Sequence, residues 1–446
     1  MTTNAYPLAQ LRWPHMRLAA IGVGLVGVTA AGPTLHLAYG GWALMLVFGI
    51  GAAGAMLVSR MESVDERGAL IVILVAAMAM RLALVFVEPY LSTDIYRYVW
   101  DGRVQAAGIN PYRYVPSAPE LAHLRDAAIY PNINRAGYAV TIYPPMAQAI
   151  FLAVTRLGES VLAMKLGLIA CEAATVVVVL ALLDRQGISG TRIAAYAWHP
   201  LPVWEVAGSG HVDVAMCALL MVGLLLFLHG RILFAGIAVT LGALVKPTAL
   251  LALPVFWRPW NWRLPLAVAL TAIVAYLPYL SVGGGVFGYL WGYLDEEGLA
   301  SGRGIHVLWL LERFTGPMQR AGAIYAIFAT VALIAVAIAV AFRKDRSDRA
   351  SITALGWLLV SFLILSSPHY PWYFLVLVPF LALAPSAAAW VLTIACPLLY
   401  DSIPDGGWPA YDTRIALFLQ ATVAALAYDA WRLHRKTHRI IMERIS

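Results

Sequence analysis

Charged residues are scarce in this chain of 446 residues. Only 12% of them are Asp, Glu, Lys or Arg, whereas 61% are hydrophobic, and the mean hydropathy is +0.76. A soluble domain carries roughly 25% charged residues, so the composition excludes that class. Apolar runs recur from the first fifth of the chain to the last and leave no stretch large enough for a separate soluble domain. We therefore expect a single all-α domain over residues 1–446, folded as a polytopic transmembrane helical bundle.

Cysteine is also rare, and acidic residues are fewer than basic ones. The three cysteines, Cys171, Cys217 and Cys396, all lie in apolar runs, which argues against a disulfide framework and against a Cys-type metal site. The excess of 31 Lys and Arg over 24 Asp and Glu would suggest nucleic acid in a soluble protein. In a membrane protein we expect membrane lipids as partners and no nucleic acid.

The apolar runs predict about 12 to 14 membrane segments, because a full crossing takes about 20 residues. The first two, 18–37 and 41–59, follow each other as in a helical hairpin, and we expect the first helix to be uncleaved. The runs at 193–206, 231–246 and 248–257 are too short to cross alone. Pro200, Pro202 and Pro247 lie at these breaks, so we expect broken or tilted helices there.

The distribution of Lys and Arg between these segments predicts the orientation. With the N-terminus in the cytoplasm, most of the 31 Lys and Arg residues fall on the cytoplasmic face, as the positive-inside rule requires. Both termini are then cytoplasmic. The two longest polar stretches, 90–160 (the first loop) and 283–319 (the second loop, a possible mobile lid), lie on the external face.

The first loop begins with a pattern typical of a juxtamembrane helix. In Ser92-Thr-Asp94-Ile-Tyr-Arg97-Tyr-Val-Trp-Asp101, Ser92 or Thr93 can cap the helix, and Asp94, Arg97 and Asp101 share one face. The opposite side, with Ile95, Tyr98, Val99 and Trp100, suits the lipid headgroup layer. Two interpretations remain open: a capping Asp94 with a structural Arg97–Asp101 ion pair, or a carboxylate that takes part in chemistry.

Two further segments carry polar or aromatic residues to the same face. Thr141-Ile-Tyr143-Pro144-Pro145 is either part of a lid over a groove or an ordered surface loop with belt aromatics. The turn Gly208-Ser-Gly-His211-Val-Asp213 opens a helix and can bind an anion. His211 and Asp213 are two residues apart, which does not favour a shared metal site, and Asp213 can equally act as a helix cap.

Several cations and one histidine are candidates for binding a phosphate. Lys246 lies where two short segments meet, and it either attracts a phosphate or snorkels to the interface. Arg81 lies inside a span and needs an anionic partner, for which Glu172 and Glu205 are available. Arg303 in the second loop and His369 between prolines are predicted to lie on the same face.

These motifs resemble the bacterial polyprenyl-phosphate-mannose-dependent mannosyltransferases of the GT-C glycosyltransferase superfamily. The resemblance covers most of the chain, and its specific part is the aspartate motif of the first loop. The motifs are Ser92-Thr-Asp94-Ile-Tyr-Arg97, Asn110-Pro-Tyr, Thr141-Ile-Tyr-Pro-Pro, His199-Pro-Leu-Pro, Gly210-His-Val-Asp and Lys246-Pro.

The resemblance implies a GT-C-like fold and an inverting sugar transfer at the external face of the bacterial cytoplasmic membrane. The donor would be a polyprenyl-phosphate sugar, with mannose as the sugar, and the acceptor a lipid or glycan. Asp94 maps onto the catalytic base. Many relatives carry two adjacent acidic residues where this chain has Thr93-Asp94, so we expect a metal-independent reaction without a cofactor. The expected donor phosphate ligands are Lys246, Arg303, Arg81 and His369. The expected sugar or acceptor contacts are Arg97, Asp101, Tyr143, His211, Asp213 and Glu205.

Other functions remain open at this point. A GT-C transferase of another sugar, such as one moving aminoarabinose to lipid A or glycosylating proteins, would carry the same motifs. A lipid-linked sugar transporter or flippase would also contain broken helices and intramembrane charges. The long first loop and the absence of a visible sequence repeat argue against a transporter function.

Overall fold

The computed structural model describes residues 8–61, 65–259, 261–298, 302, 304–316, 318, 320–400 and 410–445. Within these ranges every regular element is helical and none is a strand, which confirms the predicted fold class. Arg303 lies outside the described residues. The α-helices of seven residues or more are α1 Leu8–Tyr39, α2 Gly41–Ser59, α3 Glu66–Val85, α4 Asp94–Ala106, α5 Pro145–Leu157, α6 Val161–Arg185, α7 Asp213–Leu228, α8 Ile232–Ala243, α9 Arg263–Tyr276, α10 Leu290–Glu296, α11 His306–Thr315, α12 Ala321–Ala341, α13 Asp348–Ser366, α14 Ala387–Ala395 and α15 Tyr411–Ile445.

The apolar helices are those of a multi-pass membrane protein. Seven helical stretches in the described part of the chain are long and apolar enough to cross a bilayer: His15–Tyr39, Gly41–Ser59, Glu66–Val85, Val161–Arg185, Arg263–Glu296, Ala321–Ala341 and Asp348–Ser366. Six shorter apolar helices accompany them: Pro145–Leu157, Asp213–Leu228, Ile232–Ala243, Pro247–Phe256, Pro371–Leu383 and Ala387–Leu399. The first of these six, α5, lies inside the first loop and begins at Pro145.

The first two helices form the predicted hairpin. Gly40 joins them with φ of 67°, a left-handed conformation that glycine adopts without steric cost. The short segments break as expected at their prolines. Residues 194–208 form two short helical pieces and a π-helix, Val203–Gly208, and Lys246 immediately precedes the 3₁₀-helix Pro247–Ala252.

Helix α4 is enclosed by protein. Ile95, Tyr98, Val99 and Trp100 are each 1% exposed, so the prediction that this side faces lipid headgroups was wrong. The reason is helix α5, which covers α4 with Phe151 stacked on Tyr98 at 4.6 Å between ring centroids. A side chain at Gly102 would collide with the Phe151 carbonyl group, so this close approach requires glycine.

The second loop packs directly on the first. The Tyr289 amide donates to the Thr141 carbonyl oxygen at 3.1 Å. Just before the second loop, the Tyr279 carbonyl oxygen accepts a bond from the Asn110 side-chain amide at 3.0 Å. Gly288, with φ of 57°, lies so close to Thr141 that a Cβ atom would overlap its carbonyl oxygen. These contacts bring α10 next to the start of α4, where Asp94 is located.

Candidate active site

Asp94 is the first residue of α4, and its carboxylate is held from the first loop. Asn134 donates from its side-chain amide to Asp94 Oδ1 at 2.8 Å, and the Tyr143 hydroxyl also hydrogen-bonds the carboxylate. The Asp94 amide donates to Ser92 Oγ at 3.2 Å. The preceding Thr93 makes no side-chain cap. Asp94 is therefore oriented by side chains and does not cap the helix.

The surroundings of Asp94 shift its protonation toward the neutral form. Burial raises the pKa of Asp94, and this effect is only partly offset by the hydrogen bond from Asn134, by the charges of Lys246 and Arg135 and by Tyr143. A carboxylate with a raised pKa is a stronger base than an ordinary aspartate. Asp94 remains half-buried in the structure.

Lys246 lies close enough for its charge to act on Asp94, although 152 residues separate them in the chain. Its Nζ is 2.5 Å from Asp213 Oδ1 and 3.9 Å from the centroid of the Tyr373 ring. The Lys246 side chain is 18% exposed, whereas Asp213 is 2% exposed. Asp213 does not cap α7 and instead fixes the ammonium group at the edge of the site.

Helix α10, Glu297 directly after it, and residues 369–373 contribute a second polar group of side chains. His369 Nδ1 lies 3.1 Å from Glu297 Oε2, and its Nε2 lies 2.7 Å from the Gly304 carbonyl oxygen. The Tyr293 and Tyr373 hydroxyls are 2.6 Å apart. Burial alone would raise the pKa of Glu297, but hydrogen bonds from His369 and Tyr293 hold it below its usual range. His369 thus has a carboxylate as its partner.

His211 and Glu205 lie deeper than the surface of this site. His211 stacks on Trp372 at 3.9 Å between ring centroids, and its Nε2 is 3.3 Å from Glu205 Oε2. The Tyr400 hydroxyl donates to the other Glu205 oxygen. Both residues are at most 1% exposed, so neither offers a surface to a sugar in this conformation.

No group of three or more His, Cys, Asp or Glu side chains in the described part of the chain is arranged to hold a metal ion. Metal independence of the reaction stays a prediction.

The chain is similar in sequence to known mannosyltransferases. Residues 14–271 match the family model described as alpha-(1->6)-mannopyranosyltransferase, N-terminal domain, which is more than half of the chain. The chain belongs to this mannopyranosyltransferase family. Alpha-(1->6)-mannopyranosyltransferase A of Mycobacterium tuberculosis (strain ATCC 25618 / H37Rv) is 25% identical over 344 residues, which cover 70% of this chain and 62% of the relative. The chain therefore spans less than two thirds of the length of that relative. No solved structure matches the chain.

Family membership confirms the resemblance to membrane mannosyltransferases. The matched region, 14–271, contains Asp94, Asn134, Asp213 and Lys246. His369 lies beyond it. The site is thus built mainly from the family region, and α10 with Glu297 and residues 369–373 complete it.

Three residues that the sequence predicted as substrate ligands, Arg81, Arg97 and Asp101, form ion pairs inside the protein. Arg81 donates from Nη2 and Nε to the two Glu172 carboxylate oxygens at 2.5 and 3.1 Å, and from Nη1 to the Ala197 carbonyl oxygen. Arg97 Nε donates to Asp101 Oδ1 at 2.7 Å. The prediction that Arg81 binds the donor phosphate is not supported, because the Arg81 guanidinium is buried and already paired with Glu172.

Arg97 and Asp101 form the buried ion pair that the sequence left open as the structural interpretation. Asp101 is 1% exposed and accepts further hydrogen bonds from Thr141 and from Gln148, the latter at 3.0 Å. This network joins α4 to α5 and to the Thr141 segment. We assign the pair to positioning Asp94 and Tyr143 and do not propose a sugar contact for it.

Sequence reasoning missed several residues of the site. Asn134 and Arg135 lie in irregular backbone with no periodic pattern. Tyr293 and Glu297 reach the site because the second loop folds over the first, and Tyr373 reaches it from the 3₁₀-helix Pro371–Leu377. The one available signal was that Asn134 and Arg135 belong to the Tyr- and Pro-rich first loop opposite the Asp94 motif.

Proposed function

We propose that this protein is a membrane mannosyltransferase that uses a polyprenyl-phosphate-mannose donor. The acceptor is a lipid or glycan, and the reaction takes place at the external face of the bacterial cytoplasmic membrane with both termini in the cytoplasm. Family membership supports mannosyl transfer. The observation that carries the mechanism is the half-buried Asp94 carboxylate, held by Asn134 within range of the Lys246 charge.

The geometry suits an inverting displacement. Asp94 accepts the proton of the acceptor hydroxyl as that oxygen forms a bond to the sugar C1 atom. On the opposite side of the sugar the bond between C1 and the phosphate oxygen breaks, and the electron pair leaves with the lipid phosphate. Asn134 and Tyr143 keep the carboxylate in one orientation during this step.

The leaving phosphate gains charge during the reaction and needs a cation in a water-poor site. Lys246 is suited to this role, since Asp213 and the Tyr373 ring fix its ammonium group in place. An ammonium near the reaction centre stabilises the phosphate more than it would in bulk water.

The apolar surface of the bundle suits a lipid-linked donor. The stretches Arg263–Glu296 and Ala321–Ala341 present mostly exposed apolar side chains, and each methylene that the donor tail buries contributes about 0.8 kcal/mol. The positive-inside distribution supports the external face as the side of reaction.

The experiment offers purified protein two radiolabelled mannose donors. We expect transfer to membrane lipids or glycans from synthetic polyprenyl-phosphate-mannose and none from the water-soluble GDP-mannose. Transfer from GDP-mannose alone would contradict the proposed donor class. Transfer of another sugar from the same lipid phosphate, with mannose refused, would keep the mechanism and replace the sugar.

A further inference from the structure

Arg135 is a cation at the site to which neither the family description nor the sequence motifs give a role. Its chain neighbour Asn134 donates to Asp94 Oδ1 at 2.8 Å, so the Arg135 backbone lies beside the catalytic carboxylate. The charges of Arg135 and Asp94 act on each other. The matched region of the family includes this residue.

The backbone at Arg135 is strained. Its φ is 56°, in the left-handed region that side chains other than glycine and asparagine rarely adopt. The Arg135 carbonyl oxygen accepts the amides of Tyr138 and Ala139 at 3.2 and 3.1 Å, which fixes the turn. Strained backbone of this kind concentrates at functional sites, and a glycine would fill the position without strain if the side chain had no use.

The Arg135 side chain faces the same tyrosine pair as Lys246. Its guanidinium lies 5.7 Å from the centroid of the Tyr293 ring, the Tyr293 hydroxyl is 2.6 Å from that of Tyr373, and the Tyr373 ring carries the Lys246 ammonium at 3.9 Å. Two cations therefore flank one pair of phenol groups. Asp94 interacts electrostatically with both.

Each of these cations is paired with a carboxylate, but the two pairs differ in burial. Arg135 Nε contacts Glu296 Oε2 at 2.6 Å with the side chains 29% and 30% exposed, whereas the Asp213 partner of Lys246 is only 2% exposed. A partly exposed ion pair contributes little free energy. Glu296 accepts one hydrogen bond from the guanidinium, whereas a phosphate can accept two parallel hydrogen bonds from it. The bond to Glu296 is thus the one that a phosphate can replace.

We propose that Arg135 is a second cation that binds the donor phosphate, and that the phosphate displaces Glu296 and lies between Arg135 and Lys246. This inference rests on the proposed function, because it names the residue that recognises the phosphate of the lipid-linked donor. Displacement also breaks one of the contacts by which α10, which carries Glu296, packs on the first loop.

The test measures binding of sugar-free polyprenyl phosphate to the full-length protein in detergent, beside transfer from polyprenyl-phosphate-mannose. Arg135→Asn removes the charge and keeps a residue that tolerates the left-handed backbone, and Arg135→Lys retains a point charge. Arg113→Gln is the matched control, since Arg113 is exposed on the same loop and donates to the Ser281 carbonyl oxygen at 3.4 Å.

We expect Arg135→Asn to raise the Kd for polyprenyl phosphate roughly tenfold or more, as loss of a charge-assisted hydrogen bond does. Arg135→Lys should recover part of the affinity, and Arg113→Gln should match the wild type. Glu296→Gln should lower the Kd because the competing carboxylate is gone.

An unchanged Kd in Arg135→Asn, in a protein whose wild type transfers mannose, overturns this inference and leaves the proposed function standing. Arg135-dependent binding without any mannose transfer supports the phosphate site and overturns the proposed function. Weaker binding in Glu296→Gln contradicts displacement, because the bridge would then build the site. A wild type that binds no polyprenyl phosphate overturns both proposals.

Discussion

Breaking the Arg81–Glu172 pair should destabilise the protein more than any single surface change. The pair connects α3 to α6, and its side chains are 6% and 3% exposed. Arg81→Met removes both donors to Glu172 and the donor to the Ala197 carbonyl oxygen. It therefore leaves a buried carboxylate without its counter-charge inside the bundle.

The expected loss of stability follows from the burial of the Arg81–Glu172 pair. Removing one partner of a buried ion pair costs about 3–5 kcal/mol, whereas replacing both partners by apolar residues is often close to neutral. The double variant Arg81→Met with Glu172→Met should therefore be more stable than Arg81→Met alone. The pair Arg185–Asp348 is more exposed, with an N–O distance of 2.6 Å and side chains 31% and 37% exposed. Arg185→Met should therefore lower the free energy of unfolding by less than about 1 kcal/mol.

Thermal unfolding of purified protein in detergent, followed by tryptophan fluorescence, measures these differences. A double-mutant cycle gives the coupling between Arg81 and Glu172. Equal losses for Arg81→Met and Arg185→Met, or strictly additive losses in the cycle, would refute the assignment of Arg81 to a structural pair. A folded Arg81→Met protein that specifically loses affinity for polyprenyl phosphate would restore Arg81 to the donor site.

Three further predictions concern the reaction. The base must be deprotonated, and the pKa of Asp94 is raised, so kcat/KM should increase with pH through a value above that of an ordinary aspartate. Asn134→Ala removes a hydrogen bond that favours the charged form of Asp94, so the rise of kcat/KM should move to still higher pH. A move to lower pH would contradict the role of Asn134. Lys246→Ala should impair donor use more than Lys246→Arg, measured as KM for the donor, and equal effects would argue against a counter-charge. Chelators should leave transfer intact, whereas a loss restored by added metal would contradict the metal-independent mechanism.

The sequence predicted the framework because its signals are periodic. Spacings of three and four residues gave α4 and the Arg97–Asp101 pair, and proline positions gave the breaks near residues 200 and 247. The charge distribution predicted that Asp94, His211, Lys246, Arg303 and His369 share one face of the membrane. The Lys246 charge acts on Asp94, Arg303 lies outside the described residues, and the membrane face stays a prediction.

The ion-pair partners and the remaining site residues could not be predicted, because they depend on contacts between segments distant in the chain. Glu172, the partner of Arg81, lies 91 residues away, and the sequence offered Glu205 equally. The buried Lys165 ammonium donates to the Val87 carbonyl oxygen at 2.6 Å, 78 residues away in the chain. Asn134 and Arg135 have no pattern to reveal them, since irregular backbone places side chains by turns whose partners are unknown until the loops are packed.

Transfer of radiolabelled mannose from polyprenyl-phosphate-mannose by wild type, Asp94→Asn and the control Glu120→Gln tests the central claim most directly. Asn keeps the shape of Asp94 and removes its basicity, and Glu120 is an exposed acidic residue of the same loop. We expect full transfer by wild type and Glu120→Gln, and a loss of at least about 10²-fold in Asp94→Asn, as removal of a general base does. Undiminished transfer by Asp94→Asn would contradict the assignment of Asp94 as the base.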